Sequence, residues 1–447
     1  MNDDLVRLTI EALGVDGDGV ARRRGETWFV PGTAPGDVVE ALAEASDRAA
    51  ERSGGRGGRR GRVLRIVTAS PHRVPAPCAA AGGCGGCDWG HLAPDERLRW
   101  KLRLVRETLG LGDEPAVESI PSPGGGRRVA RLAVGRDREG AIVGFRAERS
   151  SRVVSGVSCP ALEPEAAEAV SVLGNDRAVL AEWLKAGGEE LWLLSDVDRR
   201  IHLAAARAEA PAGGRRSGGP RAAGPSTQEV LERLRAALPG ALRPSGEPCV
   251  EAADGGPALR VPPGGFVQGS RAVGLELARI VAEAAGPTPG LTLELYAGSG
   301  HLTVALLRGV EELVAVEADG ESARALGENL ARRAVAGAKA VRGDATSMLR
   351  TLARPPALVV ADPPRAGLEA AAYELVRHRP PRVILVSCDL RALGRDVRVL
   401  LREGYAVERV ALCDMFPATH HVEVVTLFTV TEASHSGRGA GRKPVGG

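Results

Sequence analysis

The stretch LTLELYAGSGH, residues 291–301, decides how the rest of the chain is read. An apolar run from Leu291 to Leu295 ends in a glycine turn and opens directly into HLTVALL, the pattern of a strand, a tight turn and a helix. Gly298 and Gly300 let the backbone come close to a ligand, and the N–H groups of the following helix face it. The next apolar run, LVAVEA, carries Glu317 at its end, 19 residues beyond Gly298. A carboxylate at about that remove from a glycine turn suits a pair of ribose hydroxyls. A bare Gly-x-Gly occurs at many plain turns; with Glu317 in register it predicts a nucleotide-type ligand.

Outward from this point the chain reads as α/β. A helix is expected over about 271–285, and strands at 291–296, 313–317, 338–342, 357–361 and 382–387 alternate with helical segments. A final hairpin, YAVERVALC and VEVVTLFTV, closes the sheet. Five β/α units and a terminal hairpin over 266–432 match the Rossmann-like class I methyltransferase plan better than a dehydrogenase. Ligands of such sheets sit beyond the carboxyl ends of the strands, here Tyr296, Glu317, Asp344, Asp362 and Cys388. VVADPPRAG stiffens the position of Asp362 with two prolines, and VILVSCDL puts Cys388 at the end of the next strand. A cysteine there is either a small buried hydrophobe or a nucleophile, and its place beside the ligand site favours the nucleophile.

Before the α/β domain lie two appended β-rich units. Residues 1–70 alternate apolar and polar positions between glycine turns, as a small barrel does, and resemble a TRAM domain, an OB-like barrel that grips RNA. Residues 71–265 form a second unit. It begins with PAPCAAAGGCGGCDW, in which Cys78, Cys84 and Cys87 are spaced C-x5-C-x2-C, and Cys159 follows in VSGVSCP. Four thiolates can hold an iron–sulfur cluster or a structural zinc; three close cysteines and a distant fourth favour the cluster. A β-meander is expected over 127–158, a hairpin over 188–205, and a flexible insertion near 208–226. Ser226 and Glu229 then form a capping box, and a disordered tail is expected over 433–447.

The totals narrow the setting. A chain of 447 residues allows two or three domains, and 44% hydrophobic residues suffice for their cores. No run approaches the roughly 20 apolar residues of a membrane span, and MNDDLVRLTI lacks a signal-peptide plan, so a cytoplasmic protein is expected. A net charge of +3 does not announce a nucleic-acid partner, but arginines cluster at 52–65, 127–152 and 199–221.

With these residues assembled, the chain resembles the RNA uracil-5-methyltransferase family, most closely its branch acting on 23S ribosomal RNA with a 4Fe-4S cluster. The resemblance runs from residue 4 to about 430, on the four cysteines, GGFVQGS at 264–270, ELYAGSGH, VEAD, ADPPRAG, VSC and DMFPATHHVE at 414–423. It implies that Gln268, Tyr296, His301, Glu317 and Asp362 bind S-adenosylmethionine, with Asp344 at the adenine edge. It implies Cys388 as nucleophile and Glu423 as base, and Cys78, Cys84, Cys87 and Cys159 as cluster ligands; Phe266 is expected against RNA or in the core. His301 stands where the family often has Asn, and Asp389-Leu390-Arg391-Ala392 replaces the usual Asn-Pro-Ala-Thr after the nucleophile. The resemblance implies methylation of uridine C5 in RNA; a monomer is expected, with no DNA and no membrane as partner. Two alternatives stand beside 23S RNA methylation: the same chemistry on transfer RNA, and a non-catalytic RNA-binding or folding protein that keeps the cofactor pocket.

Overall fold

The computed structural model describes residues 5–44, 58–156, 158–206 and 225–431. The insertion expected near 208–226 lies outside the described residues except for its last two positions, and the tail 433–447 lies outside them entirely.

The first unit is a six-stranded β structure. Alternation in LVRLT turns Val6 and Leu8 inward and leaves Leu5, Arg7 and Thr9 exposed. Its strands run in the order Leu5–Thr9, Val38–Ala43, Arg59–Thr68, Glu26–Val30, Gly19–Arg23 and Ala12–Leu13. Ile10, Trp28, Val30 and Val39 fill the interior.

The central unit is an antiparallel sheet in the order Val153–Ser155, Gly140–Arg146, Val129–Asp137, Glu190–Ser195 and Ile201–Ala205. The meander and hairpin fall where the apolar alternation puts them. Helices Pro164–Asn175, Arg177–Lys185 and Thr227–Ala237 cover the sheet through Leu173, Leu180, Trp183 and Leu234. The first two escape a β-rich reading because they are short and abut, Asp176 ending one and capping the next through Val179 N–H, so no long helical period develops. The Ser226–Glu229 capping box forms as expected at the third.

The large sheet contains Ala338–Arg342, Val310–Glu317, Thr288–Leu295, Leu358–Ala361, Arg382–Ser387, Glu423–Val430, Tyr405–Cys413 and Val117–Ile120, in that order. Its first five strands are parallel and Glu423–Val430 is antiparallel to them. Both faces are covered: Val359, Ala361, Val383 and Leu385 enter one core, and Leu358, Val360, Ile384 and Val386 the other. That double burial is why these strands read as unbroken apolar runs. Helix Arg271–Ala285 lies over one face. Val117–Ile120, from the stretch assigned by sequence to the central unit, instead extends the large sheet beyond the expected terminal hairpin, parallel to Tyr405–Cys413. The reason is packing: helix Pro94–Leu109 buries Trp100, Leu104, Val105 and Leu109 in the core of the α/β layer and carries the strand with it.

Candidate active site

The strand order reverses between Thr288–Leu295 and Leu358–Ala361, and the carboxyl ends of these two strands present Tyr296 and Asp362 to one cavity. Gln268, Gly298, Ser299 and His301 also line it. Gln268 Nε2 donates to Asp362 Oδ2 at 3.3 Å. Tyr296 sits at φ +62°, in the left-handed region that a bulky side chain rarely adopts, so the turn holds stored strain where the ring meets the cavity. Gly298, at φ +56°, would have no atom within 4 Å of an added Cβ, so this part of the turn is open to a ligand.

Three expected ligand contacts have structural duties of their own. Glu317 Oε2 accepts the Gly298 N–H at 2.8 Å and Oε1 accepts the Asp319 N–H at 2.7 Å. Its carboxylate therefore shapes the glycine turn, and each oxygen keeps a lone pair for a hydroxyl. Asp344 caps helix Ala345–Thr351 through the Ser347 N–H at 2.9 Å. Its charge, after burial, helps push the Tyr296 phenol up to about 12. His301 Nε2 lies 2.8 Å from Gly274 O, and burial pulls the imidazole down, so the neutral ring donates to that carbonyl.

One lining residue was missed. Glu294 is 1% exposed and faces the same cavity, with Thr303 beside its carboxyl and no charged partner to balance it among the described residues. Burial raises its carboxyl to about 8. The sequence signal was present, since a lone charge inside the apolar strand LTLEL has to be accommodated or used.

A second cleft adjoins the first, with Phe266 and Gln268 on both; Arg127, Trp192, Met415, Phe416 and Glu423 complete its walls. Phe266 is 70% exposed, which removes the core role from its two expected ones. The nucleophile and base candidates come together through strand register. Ser387 pairs with Val424, so Cys388 and Glu423 leave their antiparallel strands at adjoining positions. Burial pushes the Cys388 thiol up to about 12, with Glu423 and Asp362 adding to the shift and Arg365 opposing it. Burial also lifts Glu423 well above the carboxylate range, Asp362 adding and Arg365 opposing, and lifts Asp362 to about 7. The upward shifts of Glu423 and Asp362 reduce the negative charge facing the thiolate, and Arg365 is the nearby cation that favours it.

The unusual residues after Cys388 have clear local roles. Asp389 caps helix Leu390–Arg402 through the Ala392 N–H at 2.8 Å. Arg391 forms an ion pair with Asp16 of the first unit. His420 and His421 divide: His420 Nδ1 lies 2.6 Å from Asp88 Oδ2, and His421 Nε2 lies 2.9 Å from Arg365 Nη2. Burial, then His420 and Arg365, drive His421 down to about 3, leaving it neutral beside the guanidinium.

Cys78, Cys84, Cys87 and Cys159 line a third cavity together with Arg127. All four are free thiols. Burial, then the neighbouring thiols, push Cys87 up to about 11. Among the described residues no three His, Cys, Asp or Glu side chains close into a metal-coordinating group.

With this geometry in place, comparison with known proteins is decisive. The family model described as tRNA (Uracil-5-)-methyltransferase matches residues 252–430, and the TRAM domain model matches 4–49. The chain is 31% identical over 452 residues to the 23S rRNA (uracil(1939)-C(5))-methyltransferase RlmD of Pseudomonas aeruginosa, covering 94% of this chain and 93% of that one. It belongs to the RNA uracil-5-methyltransferase family. The RlmD protein of Halomonas elongata is 32% identical, with 97% of this chain and 91% of that one covered. Among solved structures, the Pyrococcus abyssi tRNA (uracil-54, C5)-methyltransferase in complex with S-adenosyl-L-homocysteine superposes with a TM-score of 0.65. That likeness, at 22% identity over 95% of this chain and 100% of the other, establishes the class I methyltransferase fold. As a member of this family the protein methylates uracil C5 in RNA with S-adenosylmethionine, and its first unit is a TRAM domain. No helix among the described residues is long and apolar enough to cross a membrane.

Proposed function

We propose that the chain makes 5-methyluridine in 23S ribosomal RNA, with Cys388 as nucleophile and Glu423 as base. The observation that carries the chemistry is the register that sets these two residues at adjoining strand ends, with Glu423 on the cleft. The substrate choice is supported by RlmD relatives aligned over nearly the whole chain.

Uracil C5 is a poor nucleophile until the ring is activated. The Cys388 thiol loses its proton to solvent water, and the thiolate sulfur bonds to C6, driving the C5–C6 π electrons through C4 onto O4 as an enolate. C5 then takes the methyl group that S-adenosylmethionine supplies. Glu423 accepts the C5 proton, the C6–S bond breaks, and the ring is restored. Asp362, held by Gln268 and with its carboxyl raised to about 7 by burial, is assigned to hydrogen-bond the uracil edge. The target base has to be unstacked to reach Cys388, which gives Phe266 and Phe416 on the cleft a use as stacking surfaces. Gln268, Tyr296, His301 and Asp362 line the cofactor cavity and bind or frame the methyl donor there, with Glu294 on the same wall as a further acceptor; Glu317 and Asp344, outside that lining, are assigned to its ribose and adenine edge by family resemblance.

We read Cys78, Cys84, Cys87 and Cys159 as the ligand set of a 4Fe-4S cluster on their spacing and shared cavity, although no three of them close into a coordinating group among the described residues. They come from two distant stretches yet line one cavity, Gly82 at φ +78° lets the loop turn between Cys78 and Cys84, and the half-buried Arg127 on the same cavity offsets thiolate charge. Such a cluster would tie the loop 78–87 to Cys159; methyl transfer to an enolate requires no electron from it. Protein purified without oxygen should be brown and contain iron and sulfide; stoichiometric zinc without iron would overturn this assignment.

The test of function is incubation with unmodified ribosomal and transfer RNA and labelled S-adenosylmethionine, mapping label to single nucleotides. Label at uridine C5 in 23S RNA, lost in Cys388→Ala, is the expected result. Label in transfer RNA would refute the substrate choice. RNA and cofactor binding without transfer would favour a non-catalytic binding protein.

A further inference from the structure

The loop from Asp414 to Val422 joins strands Tyr405–Cys413 and Glu423–Val430, and it leads directly into Glu423. It is nine residues long (414 to 422), well beyond the usual hairpin connection of about 2–5 residues, so the strand ladder alone does not fix its path. Ile120 O accepts the Asp414 N–H at 2.8 Å and Gly269 N–H reaches Met415 Sδ, but most of the remaining contacts come from one separate stretch of chain. Lys101 Nζ donates to Asp414 Oδ1 at 2.6 Å and to Phe416 O at 2.9 Å, and Arg97 Nη1 donates to Pro417 O at 3.1 Å. Trp89 N–H donates to Ala418 O at 3.0 Å, and Asp88 accepts the His420 N–H at 3.2 Å while holding its ring. Residues 88–101 thus form a strap along almost the whole loop.

The Lys101–Asp414 pair stands out within the strap. Its side chains are 0% and 7% exposed. Desolvation makes such a buried pair a poor source of net stability, and apolar residues of similar size often serve as well. What the pair supplies is a fixed geometry, since a buried ammonium with two acceptors allows the loop a single setting. We propose that Lys101 and Asp414, seconded by Asp88 and His420, are positioning residues for Glu423, fixing the loop that presents the base to the cleft. The proposal rests on the reading of Glu423 as the base.

A base-positioning role has a readout that a merely structural one lacks. With Cys388 already joined to C6 and the methyl group transferred, a misplaced base stalls release, so a covalent protein–RNA adduct carrying labelled methyl accumulates on a denaturing gel. The test uses the full chain with unmodified 23S RNA in single-turnover conditions. Lys101→Met/Asp414→Leu removes both charges together and should still fold and bind S-adenosylmethionine as the parent does. Adduct release should slow by about a hundredfold, the cost of misplacing a catalytic group by an ångström. In the Glu423→Gln background, where loss of the base should itself make adduct accumulate, the pair's removal should slow release no further. Release at the parent rate in the folded double variant would overturn the proposal. If Glu423→Gln releases normally, the base assignment is what fails, and the proposal falls with it. If the double variant does not fold, His420→Ala carries the same test at a partly exposed contact. Slowed release there supports the strap, and parent-rate release overturns it.

Discussion

At the scale of single residues, the chemistry turns on how charge is managed around one thiol. Arg365 is the cation that opposes the upward shift of both Cys388 and Glu423. Both groups must lose a proton to act, so kcat/KM should rise with pH, and Arg365→Gln should move the rising limb to higher pH. A limb that stays put or moves down would refute the role. Glu294 permits a stability prediction with its sign fixed by linkage. Its folded carboxyl is raised to about 8, so the folded state keeps a proton that the unfolded state releases from about pH 4.5 upward. Stability of the ligand-free protein should therefore fall between about pH 4.5 and 8, by roughly 4–5 kcal/mol in this contribution. Glu294→Gln should flatten that dependence and raise stability at pH 8 relative to the parent, as denaturant unfolding at several pH values would reveal. Cys388 was legible because it ends an apolar run; Arg365 was legible only as part of ADPPRAG, because its neighbour His421 lies 56 residues away in sequence.

At the scale of elements, the stretch after Cys388 is an ordinary helix start. In Asp389-Leu390-Arg391-Ala392, Asp389 is the N-cap, and its carboxylate satisfies an amide that would otherwise lack a partner. Asp389→Ala should cost about 1 kcal/mol in denaturant unfolding. Arg391→Ala should cost no more than about 1 kcal/mol, because the Arg391–Asp16 pair is largely exposed. A larger loss from Arg391 than from Asp389 would reverse this ranking. The parallel strands were legible because burial on both faces leaves them apolar throughout. The helices over 164–185 were not, since each is too short for its period to show.

At the scale of the molecule, the TRAM domain packs Leu13 and Ala34 into the core shared with the α/β layer, and its turn at Asp16–Gly17 reaches the active-site region. Trp89 Nε1 donates to Gly17 O at 2.9 Å, and Asp16 reaches Arg391 next to it. Gly17 sits at φ +87°, and an added Cβ would lie 2.4 Å from Asp88 Oδ2 and 2.9 Å from His420 Nδ1. Gly17→Ala should loosen this docking and weaken RNA binding by about tenfold, as expected when two linked binding surfaces lose their fixed geometry. Affinity for S-adenosylmethionine, measured by calorimetry, should not change; an equal loss of both would indicate general unfolding instead. The sequence by itself determined the layers of this protein, its glycine turn and the residues at its strand ends, because burial periodicity and turn chemistry are local. Only the tertiary structure decided that Val117–Ile120 joins the large sheet, that Glu317 shapes the glycine turn, and that residues 88–101 hold the loop before Glu423. Those contacts join residues tens to hundreds of positions apart, and no local pattern along the chain encodes which distant partner fills a buried acceptor.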